Sequence, residues 1–346
     1  MRIPAFFCTF ATMKERINWI DWAKALAVCT VVFCHLPQSQ EWFYYRYLQS
    51  VIIVVFFFIS GYLKKDYGST KANWQKYWRG LILPYILYNV IVYPYWLIKY
   101  YMQHGVMPDL FSAVKPIIGA ILFQHENSFC EPLNGPLWYL PAILIMHITI
   151  DLCRKTKYQH HIMIALCVAS VVLYASNKYY LFLPNLTPMG LFRRLPYYYI
   201  GYVMGQKCRF REVNTKRDAI RCILLITLSL LIFQWHLLEK NFIIHISLFY
   251  PVNFCFMFGM LYACKAINSI KSMVVQNISI GTLVVIGLHV PIISLMNLCI
   301  KTIFYSSQHH IFYHWYTALP TTFIICSLLY PTIFWGVKSM PFIFGK

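Results

Sequence analysis

The chain has 346 residues, of which 59% are hydrophobic and only 12% charged, with a mean hydropathy of +0.55. A soluble domain carries about twice that charged fraction, so the composition excludes a water-soluble globular protein and makes lipid the main solvent. The net charge of +19 calls for no nucleic-acid partner, because basic loops and anionic headgroups account for it in a membrane protein.

In hydrocarbon every backbone N–H and C=O must be bonded within the protein, which leaves helices or a closed barrel. The apolar runs are about 17 to 22 residues long, the length of a spanning helix rather than of an alternating barrel strand. In chain order they fall near 19–36, 47–63, 81–101, 136–152, 160–176, 190–206, 219–237, 243–264, 279–300 and 317–337. The piece from Pro116 to Phe123 is too short to cross and fits a re-entrant segment. If it crossed, the count would be eleven and every later loop would invert.

The loops decide between the counts. With ten spans and a cytoplasmic N-terminus, 22 of the 30 Lys and Arg residues lie on the inward side and 8 on the outward side. Every cytoplasmic loop then obeys the positive-inside rule. The expected fold is therefore an all-α polytopic integral membrane protein with about ten transmembrane helices and both the N- and C-termini cytoplasmic. Residues 1–18 form a cytoplasmic N-terminal segment and 338–346 a cytoplasmic tail. Within the former, 1–12 read as an upstream-start extension, since the run from Met13 is the more natural start. Trp19 and Trp22, Trp74 with Tyr77 and Trp78, and Trp315 with Tyr316 fall near the predicted interfaces, as an aromatic belt does. The 12 cysteines show no C-x-x-C spacing and lie mostly within spans, which argues against a disulfide framework.

Ionisable groups inside a bilayer are costly, so each one invites a functional reading. In the first span Asp21 and Lys24 sit three residues apart on one face, where they can pair. His35 follows 14 residues after Asp21, roughly 21 Å along the axis, near the outward end. An imidazole there can take a proton from a hydroxyl near neutral pH. The residues alone fit equally an interfacial histidine bonded to a neighbouring helix. Lys76 and Arg79, just before Pro84, could grip phosphates, the arginine bidentately, or could be ordinary inward charge.

The outward stretch from His125 and Glu126 to Glu131 leads into Asn134-Gly135-Pro136-Leu137-Trp138-Tyr139-Leu140. Acids such as Glu131 beside rings such as Trp138 suit a sugar, and Gly135-Pro136 suits a helix-initiating turn. Arg193 and Arg194 lie outward, against the charge trend. They could stabilise an oxyanion or a lipid phosphate, or snorkel to headgroups. His289, in Gly287-Leu288-His289-Val290-Pro291, is midway along the ninth span. No spacing of zinc ligands, phosphate-cradling glycine loop or nucleophile elbow occurs, so no metal is expected.

Taken in order, these segments resemble the acyltransferase-3 superfamily of membrane acyltransferases, and within it the branch of fucose 4-O-acetylase-like proteins. The matching pieces are Ile20-Asp21-Trp22-Ala23-Lys24-Ala25-Leu26 with His35; Phe56-Phe57-Phe58-Ile59-Ser60-Gly61-Tyr62-Leu63; and Lys76 to Arg79 before Pro84. Then come Gly135 to Leu140, Tyr198-Tyr199-Ile200-Gly201-Tyr202, and His289-Val290-Pro291.

The resemblance implies a ten-helix acyltransferase domain over 19–337, with no tightly bound cofactor and acetyl-CoA (acyl-CoA) as co-substrate. The acyl group would pass to a hydroxyl of an envelope glycan or lipid-linked oligosaccharide, at the bacterial inner membrane. His35 would be the general base, or the carrier of a covalent acyl group, and Arg194 the oxyanion stabiliser. Asp21, Lys24, Lys76 and Arg79 would serve the CoA side, and Glu131, Trp138 and His289 the acceptor. Lysine stands at 24 and 76 where many members have arginine, which keeps the charge and loses the bidentate fork. The competing readings are a glycolipid flippase or exporter without acyl transfer, and a succinyl transferase acting on a periplasmic glucan.

Overall fold

The computed structural model describes residues 16–123, 133–180, 187–207, 210, 212–303 and 313–339, and all regular structure among them is helical. It begins with α1 (Asn18–His35), α2 (Phe43–Val51) and α3 (Ile53–Tyr62), the last two forming one apolar rod interrupted at Ile52. Next come α4 (Thr70–Tyr77), a π-helical turn (Trp78–Ile82), α5 (Leu83–His104) and α6 (Leu110–Ile121). A 3-10 turn (Gly135–Trp138) opens α7 (Tyr139–Cys153), and α8 (Gln159–Tyr180) and α9 (Thr187–Gln206) follow. The rest are α10 (Thr215–Leu238), α11 (Phe242–Ala266), α12 (Met273–Ile280), α13 (Thr282–Ile303) and α14 (Trp315–Ser339).

Among the described residues, eight helical runs are long and apolar enough to cross a bilayer. They coincide with eight of the ten spans expected from sequence. The other two, α1 and α9, are less apolar because they carry Asp21, Lys24 and His35, and Arg193 and Arg194. Both are interior helices: α1 buries Trp19, Ala23, Ala27, Val28 and Val32, and α9 buries Tyr197 and Tyr198. A helix shielded from lipid by its neighbours can carry the polar groups that an outer helix cannot. On the outer helices the exposed side chains are themselves apolar, such as Ile223, Leu224 and Leu231 on α10 and Phe323 and Leu328 on α14. That is the pattern of a surface whose solvent is lipid.

Successive long helices alternate in direction. One end of the bundle is marked by Asp21, by the Trp19–Tyr62 ring pair at 5.5 Å, and by Asn18 Nδ2 donating to the carbonyl of Asn268 at 2.5 Å. The opposite end is marked by His35, by Phe43 against Phe233 at 5.4 Å, and by Trp42 against His314 at 4.6 Å. The α6 helix lies back along α5: Tyr93 Oη donates to the Ala113 carbonyl (3.0 Å) and Tyr85 Oη to that of Ala120 (2.6 Å). The short apolar piece from Pro116 thus belongs to a 12-residue helix doubled back on α5.

At the closest crossing, α3 meets α9. A Cβ on Gly61, Gly201 or Gly205 would run into the backbone carbonyl of Tyr198, Phe58 or Tyr62 respectively. Small residues at such positions let two membrane helices approach backbone to backbone. The loop after α3 is tied to the end of α7. Lys64, buried, places its Nζ 2.8 Å from Asp151 Oδ1 and 2.7 Å from Tyr77 Oη, and Tyr77 also donates to Asp151.

Nearby, Arg154 pairs with Asp66 at 2.7 Å. The Arg154 guanidinium, helped by the Gly68 N–H, holds the Asp66 carboxyl below the usual carboxylate range. A carboxyl with a depressed folded-state pKa stabilises above its unfolded value of about 3.9 and loses that contribution as pH falls through the lower one. This clamp therefore persists at neutral pH and opens only in acid. Asp151→Asn keeps the shape of that side chain but leaves the Lys64 ammonium buried without its counter-charge. The expected loss of stability is on the order of 3–5 kcal/mol, measured as a lower unfolding midpoint of the detergent-solubilised protein. An unchanged midpoint would show that the pair is not structural.

Candidate active site

His35 ends α1 with its Nδ1 2.8 Å from the Val31 carbonyl oxygen. A carbonyl can only accept, so Nδ1 carries the proton and Nε2 keeps its lone pair in the neutral ring. The imidazole lies in the wall of a cavity of about 330 Å³ between α1, α3, the Gly135–Trp138 turn and α13. Phe56, Trp138, Tyr139 and Val290 supply other walls, so the base faces a mostly apolar space. Around it the 3-10 turn is fixed in two ways. Asn134 Nδ2 donates to the Gly287 carbonyl at 2.8 Å, and the Ser60 and Tyr139 hydroxyls are 2.6 Å apart.

His289 stands directly behind His35, with ring centroids 4.7 Å apart and planes at 80°. It is fully buried, donates from Nδ1 to the Val285 carbonyl at 2.7 Å, and has a buried Nε2 without a hydrogen-bond partner. The sequence placed His289 among the acceptor contacts. The structure instead sets it against the base, out of the cavity, because Ile286 and Val290 of the same helix face that space.

Trp138 lines the cavity beside His35. Arg194 does not line that cavity. Its guanidinium lies 4.6 Å from the Trp138 ring centroid, one side chain away, and it lines a second cavity toward α2 and the α10–α11 hairpin. Glu131 lies outside the described residues.

At the other end, Asp21 is held differently from the i, i+3 pair with Lys24 expected from sequence. Arg16 grips it bidentately at 2.5 and 2.8 Å, and Ser279 Oγ donates to it at 2.7 Å. The residues ahead of α1 fold back over its first turn, a tertiary arrangement that helical spacing cannot foresee. Lys24 is half-buried on the same helix. Lys76 and Arg79 are exposed at the α4–π-turn junction, Lys76 with its Nζ 5.6 Å from the Tyr67 ring centroid. They remain accessible at the end opposite His35, and neither reaches its cavity.

Sequence reading missed Asp151 and its buried partner Lys64. The signal was available, because Asp151 is the only charged residue of α7 and an intramembrane carboxylate always needs a partner. His147, within the fourth span, reads from sequence as a packing histidine with a hydrogen-bonded partner, and its Nδ1 lies 2.7 Å from Tyr198 Oη.

An α-helical bundle of this kind, with an imidazole lining a cavity at one end and accessible cations at the other, suits group transfer across a membrane. Comparison with curated proteins and with solved structures gives no match. The profile of a family described as an acyltransferase domain matches residues 17–335, nearly the whole chain. The chain therefore belongs to the acyltransferase-3 family and is a membrane acyltransferase.

Proposed function

We propose that the protein is an O-acetyltransferase of a bacterial inner membrane, moving an acetyl group from cytoplasmic acetyl-CoA to a hydroxyl of an envelope or exported carbohydrate. The observation that carries this reading is His35. Its tautomer is fixed by Val31 so that the basic Nε2 is available, and it faces a cavity walled by Trp138 and Tyr139.

In the proposed reaction the thioester reaches the cavity from the end bearing Lys76 and Arg79, which hold the CoA phosphates. His35 Nε2 takes the proton from the acceptor hydroxyl as its oxygen bonds to the thioester carbonyl carbon. The C–S bond of the tetrahedral intermediate then breaks, and the His35 imidazolium returns the proton to the departing CoA thiolate. His289 packs edge-on against the base, its Nδ1 committed to the Val285 carbonyl and its Nε2 without a hydrogen-bond partner. Arg194, beyond Trp138, adds positive potential to a site of low dielectric, where charge acts over longer range than in water. A flippase without acyl transfer gives no account of the acyltransferase match.

The test supplies purified protein with labelled acetyl-CoA and the surface glycan of its own cell, and follows label into the glycan. Mass spectrometry of that glycan distinguishes an acetyl from a succinyl increment. No label transfer to any envelope glycan would sink the carbohydrate acceptor. On the donor side, Lys76→Gln with Arg79→Gln is expected to raise the KM for acetyl-CoA by about tenfold or more. The effect on kcat should be smaller, because phosphate contacts act alike on bound substrate and transition state. An unchanged KM would remove these two residues from the donor site.

A further inference from the structure

Ile53, Phe56, Ile286 and Val290 wall the space beside His35, with Trp138 and Tyr139 on the side of the 3-10 turn. Among the described residues that line it there is no Asp, Glu, Lys or Arg. The one hydroxyl on that lining, Tyr139 Oη, is engaged by Ser60 Oγ at 2.6 Å and by the Phe56 carbonyl at 3.3 Å. Arg194 stays on the Trp138 ring, outside the space. A sugar ring carries several hydroxyls, and each one buried without a partner costs more than a buried methylene gains. This lining therefore suits the apolar end of the thioester. Of the acceptor, only the reacting hydroxyl need enter.

The volume, about 330 Å³, exceeds what an acetyl group fills. A dry apolar cavity of about 150 Å³ already holds a benzene, and acetyl is much smaller than that. The space is partly open, and with its mouth given to the entering hydroxyl, room remains beyond the acetyl methyl. Gly135 helps to create this room. It lines the cavity, and a Cβ on it meets nothing within 4 Å. Its φ lies outside the left-handed region, so the backbone does not require glycine there. Gly61, Gly201 and Gly205 differ, since a Cβ on any of them would strike the backbone of a neighbouring helix. At Gly135 neither packing nor conformation demands the missing side chain, and what its absence supplies is space in front of His35.

We propose that this cavity is the acyl pocket of the donor thioester and admits uncharged linear acyl groups longer than acetyl, butyryl among them, with Gly135 setting the permitted length. The inference rests on the donor side of the function proposed above and widens it from acetyl to short-chain acyl groups. The transfer step is the same for each donor. The acceptor oxygen bonds to the thioester carbonyl carbon, the C–S bond breaks, and the proton passes through His35 to the CoA thiolate. A succinyl donor is disfavoured, because its carboxylate would enter apolar walls that offer no cation.

The test is binding, without acceptor, to the full chain in phosphatidylcholine nanodiscs, with binding to empty nanodiscs subtracted. The probes are the thioethers S-ethyl-CoA, S-butyl-CoA and S-(3-carboxypropyl)-CoA, which have no acyl group to transfer. Each methylene that enters an apolar pocket is worth about fourfold in affinity, so the butyl compound should bind about tenfold more tightly than the ethyl one. The carboxypropyl compound should bind about tenfold or more weaker than the butyl one. Gly135→Leu and Val290→Phe fill the space from different walls, and each should erase the preference for butyl over ethyl. The unfolding midpoint checks that each variant is folded, and either one suffices for the test. Equal affinity for the ethyl and butyl compounds in the wild type would overturn the pocket. So would a butyl preference that the folded variants retain, since the chain would then lie elsewhere. Acetyl transfer to glycan without a butyl preference sinks the pocket and leaves the proposed function standing. A butyl preference without transfer to any glycan leaves the pocket and sinks the carbohydrate acceptor. Failure of every CoA compound to bind removes the donor reading and the pocket together.

Discussion

His35→Ala is expected to reduce acetyl transfer by about two to four orders of magnitude, the usual contribution of a positioned general base. The fold should be unaffected. His35 is the last residue of α1, its ring is partly exposed to the cavity, and its Nδ1 bond goes to a carbonyl within its own helix. Removing the ring therefore orphans no group on another element. Loss of activity with an unchanged gel-filtration profile and unfolding midpoint is the predicted combination. Activity within about threefold of wild type would deny His35 the role of base. The same variant separates the two routes for the acetyl group. If it passes directly to the hydroxyl, rapid quenching of wild-type enzyme with acetyl-CoA alone leaves the protein mass unchanged. A covalent acetyl-His35 would add an acetyl increment that His35→Ala lacks.

Which parts of this architecture can be read from sequence follows from the solvent. Lipid demands long apolar runs, so the outer helices announce themselves: the exposed faces of α8, α10 and α14 are apolar because nothing else can lie there. The same rule sets apart the apolar piece from Pro116 to Phe123 as too short to cross, and its helix α6 has only 12 residues. Charge placement drew attention to His35 and to Arg193 and Arg194 because each violates the economy of a membrane span. Partners were much less legible. Asp21 was matched to Lys24 by helical spacing, whereas Arg16, from outside the helix, reaches back to it. His289 and His35 are 254 positions apart in the chain, and only the packing of α13 alongside α1 brings their rings together. The convergence of Arg46 from α2 with Arg193 and Arg194 from α9 has the same origin. It is tertiary, and no periodicity within one helix encodes it.

The second large effect concerns the crossing that holds α9 in the interior. At Gly201 an added Cβ would overlap the backbone carbonyl of Phe58, and neither backbone can move aside alone, because Gly61 and Gly205 repeat the same close approach on either side. Relief must come from separating α3 and α9 along the whole contact. That would disturb Tyr197 and Tyr198, both fully buried, and the two arginines one to two turns further up α9. Gly201→Ala should cost at least the roughly 1–3 kcal/mol typical of overpacking. Gly201→Leu, whose branched side chain has nowhere to go, should yield little monodisperse protein. Gly135→Ala is the matched comparison, since a Cβ there meets nothing within 4 Å and its stability should stay near that of the wild type. The readout is the unfolding midpoint and the monodisperse fraction by fluorescence-detected gel filtration. If Gly201→Ala proves as stable as Gly135→Ala, the backbone-to-backbone crossing of α3 and α9 is not what holds this bundle together. Should it fall as expected, loss of transfer in that variant reflects displacement of α9 with Arg193 and Arg194, not the chemistry of His35.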